Sequence, residues 1–299
     1  MGARDYSGSL MVMLTYACQM RCAYCGVRNR PVHMGWETLR RGLDLLFTAP
    51  RQDLQLRYFG GEPLLRFGLI QKAVDHAGRS GRSVRHMITT NGLLLDAKKL
   101  SWLSGRDVEI MFSLDGLART HRHRRIIANL RALQKSGLPY FVNFVVEPGG
   151  HEQAKAELDW LAGQGVRRVQ VGYQVGTLWS PAQQRAYLDL LRRVPAGLDL
   201  LNRHNQAEPV MLSDEAIVDT DGKVYFDAAL FVERFFPRLR RTMLLGRLDE
   251  GLDLARLERT RAEVLRRFKR AYPPSTAKGR LFLNNLGLGL AAGRLMERA

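Results

Sequence analysis

From Leu10 onward, short apolar runs alternate with stretches in which apolar residues recur every three or four positions. The strand-like runs are Leu10–Thr15, Leu54–Phe59, Val84–Thr89, Val108–Ser113, Phe141–Val146 and Val166–Val171. Between them lie amphipathic stretches near 36–48, 66–79, 96–104, 120–136 and 151–164. In the first of these, Leu39, Leu43, Leu45 and Leu46 share one side and Arg40 and Arg41 the other, the pattern of a helix laid on a core. Gly60-Gly61, Asn91-Gly92, Asp115-Gly116 and Pro148-Gly149-Gly150 punctuate the joins. Strands separated by helices predict parallel βα units, hence an α/β fold built as an open barrel or a doubly wound sheet.

Near Gly176–Pro181 the pattern changes. A helix is expected over Pro181–Arg193. A hairpin follows, with Ala216–Asp219 and Val224–Phe226 as its arms and Thr220-Asp221-Gly222-Lys223 as its turn. Residues 252–271 read as a basic helix, and Leu281–Met296 as an apolar, Gly-punctuated helix packed on the main body. The expected division is therefore a core over residues 1–175 and a small α+β extension over 176–299.

The chain has 299 residues, 45% hydrophobic and 25% charged, which excludes wholesale disorder and the fibrous classes. Its formal charge is +17, from 46 basic and 29 acidic residues. Such a field attracts nucleic acid, acidic peptides, phosphorylated metabolites or an anionic membrane surface. Only eight of the basic residues are lysines, a skew that codon bias also produces. Between Arg234 and Arg270 twelve basic residues face five acidic ones. Uncharged runs such as Tyr6–Met20 are too short to span a bilayer. Leu10–Leu14, following Arg4 and leading to Ala17-Cys18, has the outline of an export leader. Asp5 breaks the positive start such a leader needs, so the run reads as a buried strand and the expected compartment is the reducing cytoplasm.

Three cysteines are too few and odd in number for a disulfide framework. Cys18, Cys22 and Cys25 all fall within eight residues. Spacing i, i+4, i+7 fits a buried helix stripe, but Gln19, Arg21 and Gly26 mark a loop. A three-thiolate zinc site is a second reading, although no His stands at finger spacing and His33 is the nearest. The third is an iron–sulfur cluster, in which three thiolates would leave one iron open to an outside ligand.

The segment Cys18-Gln19-Met20-Arg21-Cys22-Ala23-Tyr24-Cys25 resembles the signature of the radical S-adenosylmethionine (radical SAM) superfamily, including the aromatic Tyr24 before the last Cys. Gly60-Gly61-Glu62-Pro63, Thr89-Thr90-Asn91-Gly92 and Ser113-Leu114-Asp115-Gly116 are similar to the motifs that follow the family's second, third and fourth strands. The resemblance covers about residues 10–175. It implies a partial (β/α)6 TIM-like barrel holding one [4Fe-4S] cluster on Cys18, Cys22 and Cys25, with S-adenosylmethionine as second cofactor. It also implies that Gly60, Gly61 and Glu62 receive the S-adenosylmethionine amino group. Ser113 and Asp115 would meet the ribose or methionine part, and Tyr24 and Asn91 belong to the same binding set; Asn143, a polar residue inside the fifth strand, needs a partner, and S-adenosylmethionine is one candidate. The carboxylate partner is expected among Arg122, Arg124 and Arg125. Two glycines admit backbone where a Cβ would collide, and ligands of parallel βα folds bind at the carboxyl ends of the strands.

The hairpin and Leu245-Gly246-Arg247-Leu248-Asp249 resemble the entry to the SPASM-type extension of peptide-modifying radical SAM enzymes. Phe226-Asp227 stands where an auxiliary-cluster cysteine is expected, and no cysteine follows Cys25. Asp227 reads as a surface residue after the hairpin or as a polar substrate contact. The implied activity is reductive cleavage of S-adenosylmethionine to a 5′-deoxyadenosyl radical, which takes hydrogen from a substrate. That substrate is expected to be a ribosomally made peptide. The alternative is a nucleotide or other phosphorylated small molecule. A non-enzymatic, metal-bearing nucleic-acid binder explains the charge but leaves the later motifs without a role. A flavodoxin- or ferredoxin-like electron donor is implied. Because no leader-binding domain precedes residue 10, a separate leader-peptide-binding protein or the basic C-terminal region is expected to recognise the peptide. No membrane partner is expected, and a nucleic-acid partner is disfavoured.

Overall fold

The computed structural model describes residues 7–114, 121–195, 197–204, 210–257 and 259–297. Six βα units open the chain: β1 (Ser9–Thr15), α1 (Trp36–Phe47), β2 (Asp53–Gly60), α2 (Phe67–Gly78), β3 (Ser83–Thr90), α3 (Ala97–Leu103), β4 (Val108–Ser113), α4 (His121–Ser136), β5 (Tyr140–Val146), α5 (His151–Gly163), β6 (Arg168–Tyr173) and α6 (Pro181–Arg192). Then come β7 (Asp199–Leu200), α7 (Leu201–His204), β8 (Ala216–Val218), β9 (Lys223–Phe226), α8 (Ala228–Phe231), α9 (Leu239–Thr242), β10 (Leu244–Arg247), α10 (Arg261–Ala271) and α11 (Ala277–Glu297).

The ten strands form one sheet in the order β10-β9-β8-β1-β2-β3-β4-β5-β6-β7. From β8 across to β7 every pairing is parallel, and only β9 and β10 run antiparallel. This is the partial barrel that the family resemblance implies, one of the two forms the alternation of strands and helices left open. The expected hairpin exists, but it extends the barrel's own sheet: Leu10 pairs with Leu56 on one side and with Ala216 on the other. Ala216, Ile217 and Val218 are all buried, so this short strand gains more beside β1 than in a separate layer.

Period-two alternation divides the strands. Leu56, Ile88, Ile110, Val142 and Val169 pack outward in one core with the helices. Their neighbours Arg57, Thr89, Met111, Asn143 and Gln170 are only half-buried and line the concave face. A second core joins Met11 and Met13 of β1 to Phe226, Phe236, Phe268 and Phe282 of the C-terminal part.

Two boundaries differ from the sequence reading. The sixth strand begins at Arg168 because Gly165, at φ +78°, still terminates α5 and the Val166 amide bonds back to Leu161 O at 3.1 Å. The basic helix begins at Arg261, not near 252. Thr260 caps it by accepting from the Glu263 amide at 3.1 Å, and the preceding residues turn around Asp253. Among the described residues no helix is long and apolar enough to cross a membrane.

Candidate functional site

The carboxyl end of β1 runs directly into the cysteine loop. The loop returns antiparallel to its own strand: the Tyr16 amide donates to Val32 O at 2.9 Å and the Met34 amide to Leu14 O at 2.9 Å. The Thr15 hydroxyl pairs with His33 Nδ1 at 2.8 Å. His33 therefore fastens the loop's exit to β1.

All three cysteines are half-buried free thiols. Burial pushes the Cys18 thiol up to about 11, and Glu62, Cys22 and Cys25 push it the same way electrostatically. Burial likewise raises Cys25. Donors nonetheless point at sulfur: the Met20 amide lies 3.3 Å and Asn91 Nδ2 3.6 Å from Cys18 Sγ. Gln19 Nε2 donates to Asn91 Oδ1 at 3.3 Å, and Asn29 Nδ2 to Cys18 O at 2.7 Å. Tyr24 is half-buried on the same loop.

The turn after β2 has a role that the sequence reading did not give it. A Cβ on Gly61 would lie 2.3 Å from Ala17 O, and one on Gly60, at φ +154°, 2.3 Å from Thr15 O. The Gly61 amide donates to Thr15 O at 2.7 Å and the Glu62 amide to Ala17 O at 2.9 Å. What requires glycine here is the backbone entering the cysteine loop. Glu62 is fully buried. Its Oε1 accepts from the Leu64 amide at 3.0 Å and the Thr90 hydroxyl at 2.8 Å, and its Oε2 from the Asn91 amide at 2.9 Å. Desolvation lifts this carboxyl to about 7 against those donors. Glu62 thus ties the turn after β2 to the turn after β3, and its side chain faces the chain's own donors.

Asn91, just after β3, and Ser113, the last residue of β4, remain half-buried, as does Asn143 in the middle of β5, with Ser113 paired to Asn143 across the sheet. Asp115 lies outside the described residues, as do the side chains of His121, Arg122 and His123. Arg124 and Arg125 are exposed on α4. Asp227 is not a surface residue. It is buried, its amide donates to Glu215 O at 3.1 Å, and its carbonyl accepts from the Leu230 and Phe231 amides. Sequence reasoning missed Asn29 and the parts that His33 and Arg234 play in holding the loop. Asn29 was accessible in principle, as an Asn in a tight loop that bonds nearby carbonyls. Arg234 carried no local signal.

The sequence profile of the Radical SAM superfamily matches residues 12–161, from β1 through α5. The chain belongs to the radical SAM superfamily. Membership implies S-adenosylmethionine and an iron–sulfur cluster, and the donor set suits such a cluster. Three thiols share one loop and feel one another's charge. Both Glu62 oxygens are taken, so that carboxylate is not a fourth ligand. No group of three or more His, Cys, Asp or Glu among the described residues stands ready-made for a metal ion.

Over 261 residues the chain is 23% identical to an uncharacterized protein of Methanocaldococcus jannaschii, a match covering 81% of this chain and 88% of that one. It is 28% identical over 173 residues to a PqqA peptide cyclase of Streptomyces rochei, covering 54% of this chain and 47% of the relative. It is 34% identical over 171 residues to a GTP 3′,8-cyclase of Corynebacterium glutamicum, covering 50% and 43% respectively. The last two matches thus span under half of those relatives. Among solved structures, anSMEcpe with bound AdoMet and Kp18Cys peptide superposes with a TM-score of 0.66 at 15% identity, covering 92% of this chain and 81% of that one. SuiB of Streptococcus suis bound to its precursor peptide SuiA gives 0.54 at 14% identity, covering 73% and 58%. At these identities the likeness is one of fold.

Proposed function

We propose that the chain is a radical SAM peptide maturase, with residues 1–175 as its catalytic barrel and 176–299 as a SPASM-like extension without auxiliary clusters. One observation carries the choice of substrate. Among the described residues, charged side chains of the concave wall are paired: Arg57 of β2 with the buried Glu215 and, toward the amino ends of the strands, Arg168 with Glu109 at 2.7 Å. A neutralised wall that also presents Met111 and Gln170 suits a peptide backbone and side chain. A triphosphate would instead require uncompensated cations.

In this reading Cys18, Cys22 and Cys25 hold a single [4Fe-4S] cluster. Tyr24, Asn91, Ser113, Asp115, Asn143 and the backbone strip Gly60–Glu62 receive S-adenosylmethionine. When bound, the two cofactors supply one-electron cleavage of the sulfonium and hydrogen abstraction from a substrate carbon. Asn91 orients Cys18 through its amide and buttresses Gln19. Glu62 fixes the two turns between which the ligand lies. The concave wall holds the substrate and excludes water. An acidic flavodoxin- or ferredoxin-like donor supplies the electron, and a separate protein presents the peptide's leader.

The test is anaerobic reconstitution with iron and sulfide, followed by assay of 5′-deoxyadenosine from S-adenosylmethionine and dithionite. Precursor peptides and GTP are then supplied in parallel. The reading expects about four irons per chain and a peptide that accelerates 5′-deoxyadenosine formation. Acceleration by GTP alone would replace the peptide assignment with the nucleotide one. Zinc retained with no iron would overturn both.

A further inference from the structure

The cysteine loop is fastened at two places by two different parts of the molecule. Barrel residues hold its first half: the Glu62 amide bonds Ala17 O, and Asn91 reaches both Cys18 Sγ and Gln19. Its second half leans on the C-terminal segment between α8 and α9. The Arg234 amide donates to Gly26 O at 2.8 Å. The Arg234 Nη1 donates to Ala23 O at 3.0 Å and to Cys25 O at 3.4 Å. A Cβ on Gly26 would sit 2.0 Å from Phe231 O, so the two backbones are in close contact. Cys25 itself packs against the C-terminal core.

A single arginine thus reaches three carbonyls around the last cysteine from more than 200 positions away along the chain. One guanidinium nitrogen, Nη1, serves both side-chain acceptors, and its N–H groups are fixed in the guanidinium plane, whereas an ammonium's donors rotate freely on a flexible stem. Its charge also lies beside Cys25, where a cation favours the more negative state of anything the thiolates bind.

We propose that Arg234 is a positioning residue. With the Phe231 carbonyl it clamps the Cys25 half of the loop to the C-terminal segment and so sets how firmly the loop retains iron and at what potential the bound cluster is reduced. The segment that has no auxiliary cysteines thereby acts on the one cluster the chain can hold. The inference rests on the cluster reading above, and its first measurement does not.

That measurement is hydrogen–deuterium exchange on the full-length, metal-free chain. Arg234→Ala should speed exchange in peptides covering residues 22–28 and leave β1 and α10 unchanged. Arg241→Gln, at an exposed arginine of the neighbouring α9, serves as control. Unchanged exchange over 22–28 in Arg234→Ala overturns the clamp. So does an equal rise across β1 and α10, which would mean general loosening.

On reconstituted protein, Arg234→Ala should release iron to a chelator roughly tenfold faster, as the loss of one to two hydrogen bonds implies. Its midpoint potential should move negative. Arg234→Lys should recover the potential, because it keeps the cation, but little of the iron retention. Iron release and potential both equal to wild type in Arg234→Ala also overturn the proposal. A wild-type chain that takes up no iron overturns the cluster reading, and exchange still decides the clamp.

Discussion

Asn91 meets Cys18 by donating its side-chain amide to sulfur, while its own backbone amide is held by Glu62. The residues around the thiols are thus linked to one another, and single changes should have distinct effects. Cys18→Ala, Cys22→Ala and Cys25→Ala should each abolish iron binding together with 5′-deoxyadenosine formation, because the three thiolates act as one ligand set. Metal analysis and product assay on the same samples check this, and any variant with full iron removes that residue from the set. Glu62 gives a pH signature. Its carboxyl sits near 7 in the folded chain against an ordinary 4.5. The folded state therefore keeps a proton that the unfolded state gives up. Stability from this group is fully present below pH 4.5 and is lost as pH rises through 7. The melting temperature of the metal-free chain should fall over that window, and Glu62→Gln should flatten the fall. A wild-type profile that rises from pH 5 to 7 contradicts the assignment.

At the scale of elements, the turn after β2 is a packing device for the cysteine loop. Gly61→Val drives a side chain into Ala17 O, so iron content should drop along with S-adenosylmethionine cleavage. Retention of full iron with loss of cleavage alone would return the turn to a purely ligand-facing role. A second device is the pair Asn284 and Asn285 on α11, which imitates a neighbouring strand for the loop after β6. Asn285 accepts from the Gly176 amide at 2.9 Å and donates to Thr177 O at 2.7 Å, while Asn284 does the same for Trp179 at 2.9 Å both ways. Asn285→Ala strands two backbone groups and should cost about 2–4 kcal/mol, read from the denaturation midpoint. These devices show what was legible. Period-two and period-3.6 patterns placed six strands and their helices, because a residue's face is written in its neighbours. The three-cysteine loop and the strand-end turns were equally local. The Arg234 clamp, the Asn284–Asn285 strand mimic and the burial of Asp227 were not, since each joins positions far apart along the chain. The glycines at 60 and 61 were found, but the backbone they admit was not.

Across the whole molecule, the charge reads differently once its partners are known. Arg240 donates to the Tyr16 hydroxyl at 2.8 Å and pairs with the buried Asp219 and Glu233. Glu233 in turn meets Arg30 of the cysteine loop at 3.4 Å. Arg267 is tied to Glu263 at 2.5 Å and to Leu244 O at 2.7 Å. Part of the +17 is therefore internal structure, not an outward recognition surface. Arg240→Met leaves Asp219 buried without its cation and should destabilise the chain by about 3–5 kcal/mol. Adding Asp219→Asn should cost less than the sum of the two single changes, which a double-mutant cycle in urea measures. Additive losses would mean the pair does not couple. The same distance in sequence governs the order in which the molecule can be made. β1 emerges from the ribosome before the other nine strands, yet it lies in the interior of the sheet, between β2 and a strand that begins only at Ala216. Until that late strand arrives, Leu10, Met11 and Val12 present a bare apolar edge of the kind that recruits other chains. Synthesis is thus the period in which this protein is most prone to aggregate, and a cell lacking chaperones that shield nascent strands should yield it mainly as inclusion bodies.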